Sequence, residues 1–371
     1  MKIGVDAREF VATGKTGISR YLENLLTPLV GRPEWDLILF VPRGEFVPAG
    51  LCRPQVKAVT LPPWPTLLVD QVSLPSLAQR AAVDVFFSPY YKVPLTGRFQ
   101  RIITVHDIMF LRRNELAPWR RHLIAIQLRA ALGKADVILV PSDFTGCDLV
   151  NFEPRCQGKL HRFNFDLTEQ WLSPPKPDTV AKIRQHYSNG KRFLLYVGNF
   201  RPHKNVDLLV QAFAGLVKAC LAADWRLLLI GGDQENSLRI TTLIAKQGLA
   251  EQILVYPNVN DGDLRGLYAA ADWFITASGY EGFGFPLLEA MACGCPVICH
   301  LNTAIPEMVG KAALEISSLT VEGVGAALHQ ACRLAAAAKK EFVEKGFRQA
   351  SRFAPGTAAA GFSALLATLR G

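Results

Sequence analysis

Two carboxylates with seven residues between them, Glu281 and Glu289, bracket the run Gly282-Phe283-Gly284-Phe285-Pro286-Leu287-Leu288. Proline is favoured where a helix starts, because its missing N–H would be unpaired there anyway. Pro286 is therefore expected as the first helical residue. The next N–H groups, from Leu287 and Leu288, then have no intrahelical acceptor and sit at the positive end of the helix dipole, a ready place for a phosphate. Gly282 and Gly284 let a ligand approach the backbone closely. Glu289, in the first turn, can reach past the phosphate towards hydroxyls. Carboxylate acceptors on both sides of an anion site suit a ligand that joins phosphate to many hydroxyls, as a sugar nucleotide does. The same pattern alone is also that of an ordinary loop-to-helix junction with two solvated glutamates.

A second constellation is Tyr196-Val197-Gly198-Asn199-Phe200-Arg201-Pro202-His203-Lys204-Asn205. Here a strand ends in glycine and a turn, and cations then precede a helix. Lysine and arginine beside a helix start oppose its dipole, so a bound anion explains them better than solvation does. Lys204 is one cation. The second is Arg201, always charged and able to fork two donors onto phosphate oxygens, or His203, which is mostly neutral at pH 7 unless phosphates raise its pKa.

Nearer the N-terminus, Thr13-Gly14-Lys15-Thr16-Gly17-Ile18-Ser19-Arg20-Tyr21 follows a strand. A P-loop would need glycine where Glu9 stands, which excludes that nucleotide site. What remains is a flexible glycine loop opening a helix, which can cup a phosphate through Gly17, or a plain turn. His106-Asp107 follows another strand, at the end where ligand crevices of α/β sheets open; a satisfied structural histidine is the other reading. Asp261-Gly262-Asp263 looks like a metal-binding pair, but directly precedes a helical run, so capping is the simpler account. Cys293, Cys295, Cys299 and His300 lack the paired Cys-x-x-Cys spacing of a zinc knuckle. No metal is expected.

These residues need a scaffold of alternating strands and helices. Strand-like runs fall at 3–5, 37–41, 56–60, 83–87, 102–105 and 137–140, and again at 193–197, 227–230, 253–256, 273–276, 296–299 and 313–316. Helical periodicity fills the intervals: 18–29, 67–80, 119–132 and 144–152 in the first half, and a long 321–340 in the second. Such alternation reads as parallel sheets built from βαβ units. Regularity lapses around 163–177, where Trp171-Leu172-Ser173-Pro174-Pro175-Lys176-Pro177 reads as a stiff connection. The expected organisation is a first doubly wound domain over 1–168, a linker over 169–178, a second over 179–350, and a final helix over 351–371.

The segment from Glu281 through Ile298 resembles the signature of the retaining glycosyltransferases of family 4 (glycosyl transferases group 1), and Gly17-Ile18-Ser19-Arg20-Tyr21, Lys204, Asp272 and Ile305-Pro306-Glu307 fit the same family. The resemblance implies the GT-B fold: α/β, two Rossmann-like domains facing a central cleft, with the C-terminal helix crossing back to the first domain. It implies a metal-independent, retaining transfer of a hexose from a nucleotide-diphosphate sugar to a glycan or lipid-linked saccharide acceptor, with no cofactor. The donor would bind mainly to the second domain and the acceptor to the first. Catalytic roles are implied for His106, Lys204 and Glu281. Donor contacts are implied for Gly17, Lys204, Gly282, Phe283, Gly284, Phe285, Leu287, Leu288 and Glu289, with Glu281 on the transferred sugar and Glu289 on the ribose; Arg201, between the positions where the family carries its second cation, is expected as a donor contact from its charge alone. Mannose, from GDP-mannose, is the hexose that the style of the 198–205 turn suggests. A sugar-nucleotide epimerase of the same fold is the enzymatic alternative. A dinucleotide-dependent oxidoreductase would need Gly-x-Gly-x-x-Gly after a strand, and no strand here is followed by one.

Composition narrows the partners. The chain has 371 residues, half of them apolar, enough for two cores. Its net charge of +9 is divided nearly evenly between the halves, and no basic stripe interleaved with aromatics marks a nucleic-acid binder. Eight scattered cysteines without a disulfide rhythm fit a reducing cytoplasm. No apolar run is long enough to span a bilayer, and the N-terminus reads as a strand rather than a signal peptide. Arg112, Arg113, Arg120 and Arg121 around Trp119 form either a peripheral element for the inner membrane face or a solvated helix face.

Overall fold

The computed structural model describes residues 1–10, 17–43, 47–112, 116–163, 165–173 and 175–370. The chain divides into two compact units, Met1–Asp166 with Pro355–Gly371, and Leu167–Ala354. Residues Thr13 to Thr16 of the glycine loop, Arg113 and Pro174 lie outside the described residues.

In the first unit the strands are β1 (Lys2–Asp6), β2 (Asp36–Val41), β3 (Val56–Thr60), β4 (Val85–Ser88), β5 (Gln100–Thr104), β6 (Val137–Val140) and β7 (Leu160–Arg162). They form one parallel sheet in the order β3-β2-β1-β4-β5-β6-β7. Both faces are covered, which is why the central strands read as continuous apolar runs rather than alternating ones; β4, β6 and nearly all of β1 and β2 are buried. Strand β7, Leu-His-Arg, has no such run and is mostly exposed at the sheet edge, so its sequence gives no strand signal. The chain reverses direction across the sheet between β1 and β4, the place where open α/β sheets bind ligands.

The second unit repeats the plan with β8 (Arg192–Val197), β9 (Trp225–Ile230), β10 (Ile253–Tyr256), β11 (Trp273–Thr276), β12 (Val297–Cys299) and β13 (Ala313–Glu315). Their order is β10-β9-β8-β11-β12-β13, again parallel. The reversal lies between β8 and β11, so the loops after those two strands flank the switch point.

Several expected boundaries move. Residues 169–178 belong to the second unit rather than forming a linker: helix Glu169–Leu172 buries Trp171, whose ring packs edge-on against Tyr268 at 5.8 Å. A tryptophan held this way anchors its segment whatever the prolines around it do. The long helix over 321–340 is two, Val321–Arg333 and Ala336–Ala350. Alanine-rich sequence carries no breaker, but Leu334 turns to pack on the core of the second unit, and tertiary contact overrides propensity. The last helix starts at Thr357, not at 351, because Pro355-Gly356 interrupts it; Thr357–Thr368 packs within the first unit, with Phe362 buried against Phe87 at 5.0 Å.

Candidate functional site

Strand β8 delivers the chain into Gly198, whose φ of +153° only glycine adopts readily. A Cβ there would lie 2.9 Å from the Tyr196 hydroxyl, and one on Gly231 would lie 2.6 Å from the Gly198 carbonyl oxygen. The two turns therefore pack backbone on backbone, tied by Gly232 N–H to Gly198 O at 3.0 Å. The Tyr196 hydroxyl donates to Asn199 O at 2.6 Å. Burial, with the nearby Glu281 charge adding to it, holds that phenol far above its usual pKa, so it stays a donor.

A short 3₁₀ turn, Pro202–Lys204, and Asn205 at φ +50° then aim the cations. Lys204 Nζ meets Glu281 Oε1 at 2.5 Å, and both side chains keep under a fifth of their surface exposed. The pair joins the β8 loop to the β11 loop across the switch point. The β11 loop is fastened at several points. Asn205 donates to Ala277 O at 2.9 Å, Gly279 N–H to His203 O at 2.7 Å, Ser278 to Tyr280 O at 3.0 Å and Asn302 to Ser278 O at 3.3 Å. Glu281 N–H is held by Thr303 Oγ1 at 3.0 Å. Thr303 has φ +50°, unusual for a β-branched residue and a form of strain that gathers at functional sites. Its role was not legible in the sequence, where only the following Ile305-Pro306-Glu307 stood out.

Of the two candidates for the second cation, Arg201 is exposed and His203 is buried at 4%. The geometry thus leaves Arg201 near Lys204, and makes His203 part of the scaffold.

The helix after Gly284 begins at Phe285, one residue earlier than expected, and runs to Ala292. Gly284 has φ +108°, and its carbonyl already accepts from Leu287 N–H at 3.1 Å. Leu287 is therefore not an orphan donor, and Leu288, the fourth residue of the helix, falls where the first i→i−4 bond forms. Both leucine side chains are in the core, 2% and 0% exposed. Phe283 is buried too, against Phe285 at 4.9 Å and Phe353 at 5.7 Å, while Gly282 is buried beside Glu281.

Glu289 corrects the reading most. As the fifth residue of its helix it lies in the second turn, and it is 8% exposed. Its Oε2 accepts from the buried Tyr268 hydroxyl at 3.0 Å. Burial, reinforced by this carboxylate, pushes the Tyr268 pKa far up. The spacing of the two glutamates is real, but Glu281 is half-buried and paired with Lys204, whereas Glu289 is buried and bonded to Tyr268.

In the first unit, Gly17 opens the exposed end of helix Gly17–Leu26. His106 follows β5 with its Nε2 2.9 Å from Pro89 O. A carbonyl only accepts, so Nε2 carries the proton and the neutral ring is the Nε2–H tautomer. Desolvation holds the His106 pKa down, to about 4, despite that carbonyl. Tyr21 meets the ring edge-on at 5.4 Å, and its hydroxyl is bonded to Thr104 Oγ1 at 3.0 Å. At the β1–β4 switch point sits a cluster that sequence reasoning did not assemble. Arg8 binds Asp6 through Nε at 2.9 Å and Nη2 at 2.6 Å, and reaches Asp70 at 2.6 Å. Asp70 is turned inward by a π-helical turn, Val69–Ser73, inside the expected helix; burial raises its pKa against the opposing pull of Arg8.

Other candidates resolve into structure. Asn260, not Asp261, caps helix Asp261–Ala270 by accepting from Asp263 N–H, and Asp263 accepts from Tyr187 at 2.9 Å. Cys293, Cys295 and Cys299 are buried, and burial pushes their thiols up, Cys293 to about 12. Among the described residues no group of three or more His, Cys, Asp or Glu could hold a metal ion. No helix among them is long and apolar enough to cross a membrane. Of the four arginines expected at a membrane, Arg112 is ion-paired with Asp148, and Arg120 lies 5.1 Å from the Trp119 ring centroid.

Residues 180–336 match the sequence profile of the family described as Glycosyl transferases group 1. The chain is 28% identical over 252 residues to the O-antigen chain mannosyltransferase B of Escherichia coli, covering 66% of this chain and 64% of that relative, less than two thirds of its length. Among solved structures, the sucrose-phosphate synthase of Thermosynechococcus elongatus superposes with a TM-score of 0.80 at 18% identity, covering 100% of this chain and 99% of that one. The Anabaena protein Alr3699/HepE, solved in complex with UDP and glucose, superposes with a TM-score of 0.78 at 17% identity, covering 99% of each chain. At these identities the structures establish the fold, GT-B, and no more.

Proposed function

We propose, from the match of residues 180–336 to the glycosyl transferases group 1, that this chain is a retaining, metal-independent glycosyltransferase of family 4. It moves a hexose from a nucleotide-diphosphate sugar to a glycan or lipid-linked acceptor. The observation that carries the reading is the Lys204–Glu281 pair at the switch point of the second unit. The reaction breaks the bond between the sugar's anomeric carbon and the diphosphate, and the diphosphate leaves as an anion. Stabilising that anion in a water-poor site is the main demand on the protein. Lys204, now held by Glu281, exchanges its carboxylate partner for phosphate oxygens, and Arg201 supplies the second charge. Released from the lysine, Glu281 accepts hydroxyls of the sugar, held in place by Thr303. His106, neutral and fixed by Pro89, offers a polar ring edge rather than a charge. The acceptor hydroxyl oxygen attacks the face that the diphosphate leaves and passes its proton to the departing phosphate oxygen, so the anomeric configuration is kept. Mannose, from GDP-mannose, is the donor sugar this reading favours, since the curated relative named above is a mannosyltransferase.

The test is a thermal-shift screen against nucleotide sugars, followed by transfer in excess EDTA with the product anomer read by proton NMR. A ligand that binds only the folded state raises the midpoint, by about 2.7 kcal/mol of stability at a hundred times its Kd. GDP-mannose is expected to do so, and transfer to persist in chelator with the configuration retained. No shift with any nucleotide sugar, or activity lost in EDTA and restored by manganese, refutes the reading. Release of a free isomer without acceptor makes the chain an epimerase instead.

A further inference from the structure

Large apolar side chains are exposed unevenly over this molecule. Of eleven such side chains more than a third exposed among the described residues, seven lie in the first unit on two helical segments. Trp64, Leu67, Leu68 and Val72 are 48–64% exposed on the segment leading into and through helix Thr66–Arg80. Trp119, Leu123 and Ile126 are 51–60% exposed at helical spacing on Pro118–Lys134. Both helices bury their other sides in one core cluster, through Val69, Leu74 and Ala78 and through Leu128, Ala131 and Leu132. They therefore cover the same face of the sheet. Each follows a strand of a parallel sheet, so each begins at the C-terminal edge of that sheet. The exposed residues lie before or within the first half of each, so the two apolar groups lie towards one edge as well as on one face. Single exposed leucines need no explanation, but clustered ones with two tryptophans mark an interaction site.

The charges beside them name the partner. Pro118–Lys134 contains Arg120, Arg121, Arg129 and Lys134 and no carboxylate. Residues 61–76 hold a single carboxylate, Asp70, which is turned inward and buried. Tryptophan favours the boundary between water and lipid, and arginine beside it favours anionic headgroups. We infer that this edge of the first unit rests on an anionic lipid surface, with Trp64, Leu67, Leu68, Trp119 and Leu123 in the headgroup layer and Arg120 and Arg121 on the phosphates.

The six tryptophans make this measurable. Trp35, Trp171, Trp225 and Trp273 are at most 5% exposed, whereas Trp64 and Trp119 are 51% and 60% exposed. Fluorescence quenching by lipids brominated on their acyl chains therefore reports these two. The full chain would be sedimented with vesicles of phosphatidylglycerol mixed with phosphatidylcholine, and with phosphatidylcholine alone, at low and high salt, with neither donor nor acceptor present. The outcome is thus independent of the transfer reaction. Binding is expected to be roughly ten-fold stronger with phosphatidylglycerol and to weaken with salt, with quenching by brominated lipid. Trp64→Phe with Trp119→Phe should abolish the quenching while keeping the binding. Leu67→Ser with Leu68→Ser, and separately Leu123→Ser with Ile126→Ser, should each weaken binding roughly ten-fold with an unchanged circular dichroism spectrum. No sedimentation with anionic vesicles at low salt, binding without quenching, or serine variants that bind like the wild type would each overturn the inference.

Discussion

Replacing Glu289 by alanine removes the acceptor of the Tyr268 hydroxyl, and both groups are buried. A buried donor left without a partner costs about 1–3 kcal/mol. Deleting the one methylene lost with the carboxyl group costs about 0.8 kcal/mol more in lost burial. The sum is about 3 kcal/mol. For a unit of the size of Leu167–Ala354, each kcal/mol lowers the midpoint by about 2–4 °C, so Glu289→Ala should melt about 6–12 °C lower. Glu289→Gln keeps an oxygen acceptor for the phenol and should lose about 1 kcal/mol or less. The two variants, with Tyr268→Phe to close a double-mutant cycle, would be followed by circular dichroism on heating and by titration with the donor. If Glu289 also reaches the ribose, Glu289→Gln keeps its fold and binds donor more weakly. A midpoint for Glu289→Ala within a degree of wild type would refute the burial argument and return Glu289 to the rim of the site.

Lys204→Ala and Arg201→Ala should each lower turnover by about 10²–10³, the scale for one preorganised donor to developing charge. His203→Ala should chiefly lower stability, since His203 is buried; loss of turnover as pH rises through 7 in the wild type, with His203→Ala inactive but folded, would make His203 the second cation. A pH effect on stability is expected at His106. The unfolded chain takes up a proton near pH 6.5, while the desolvated folded ring takes one only near 4. The neutral ring's contribution is thus fully present above 6.5 and is lost as pH falls towards 4, by up to about 3 kcal/mol. Denaturant midpoints across that window should flatten in His106→Asn, and an equal slope in that variant would refute the assignment.

The alternation of strands and helices was legible in the chain because parallel strands buried on both faces must be continuous apolar runs; 137–140 and 273–276 coincide with observed, wholly buried strands. The cations and glutamates of the site were legible as types and spacings: Lys204 and Glu281 stand 77 positions apart and yet pair. Sequence could not say that they touch, because the switch point between β8 and β11 brings them together. Nor could it tell which carboxylate is buried. Glu281 and Glu289 look alike along the chain, but the helix starts at Phe285 rather than Pro286, and that fixes which way the fifth residue faces. The inward turn of Asp70 depends on one π-helical turn, and the bond from Glu281 N–H to Thr303 depends on one left-handed residue. Local periodicity carries neither signal, because each is stabilised by neighbours distant in sequence. Sequence determined the scaffold and the chemical inventory, since burial pattern and residue type are local properties; tertiary structure decided which groups face each other, since that is set by topology and by single-residue offsets in helices.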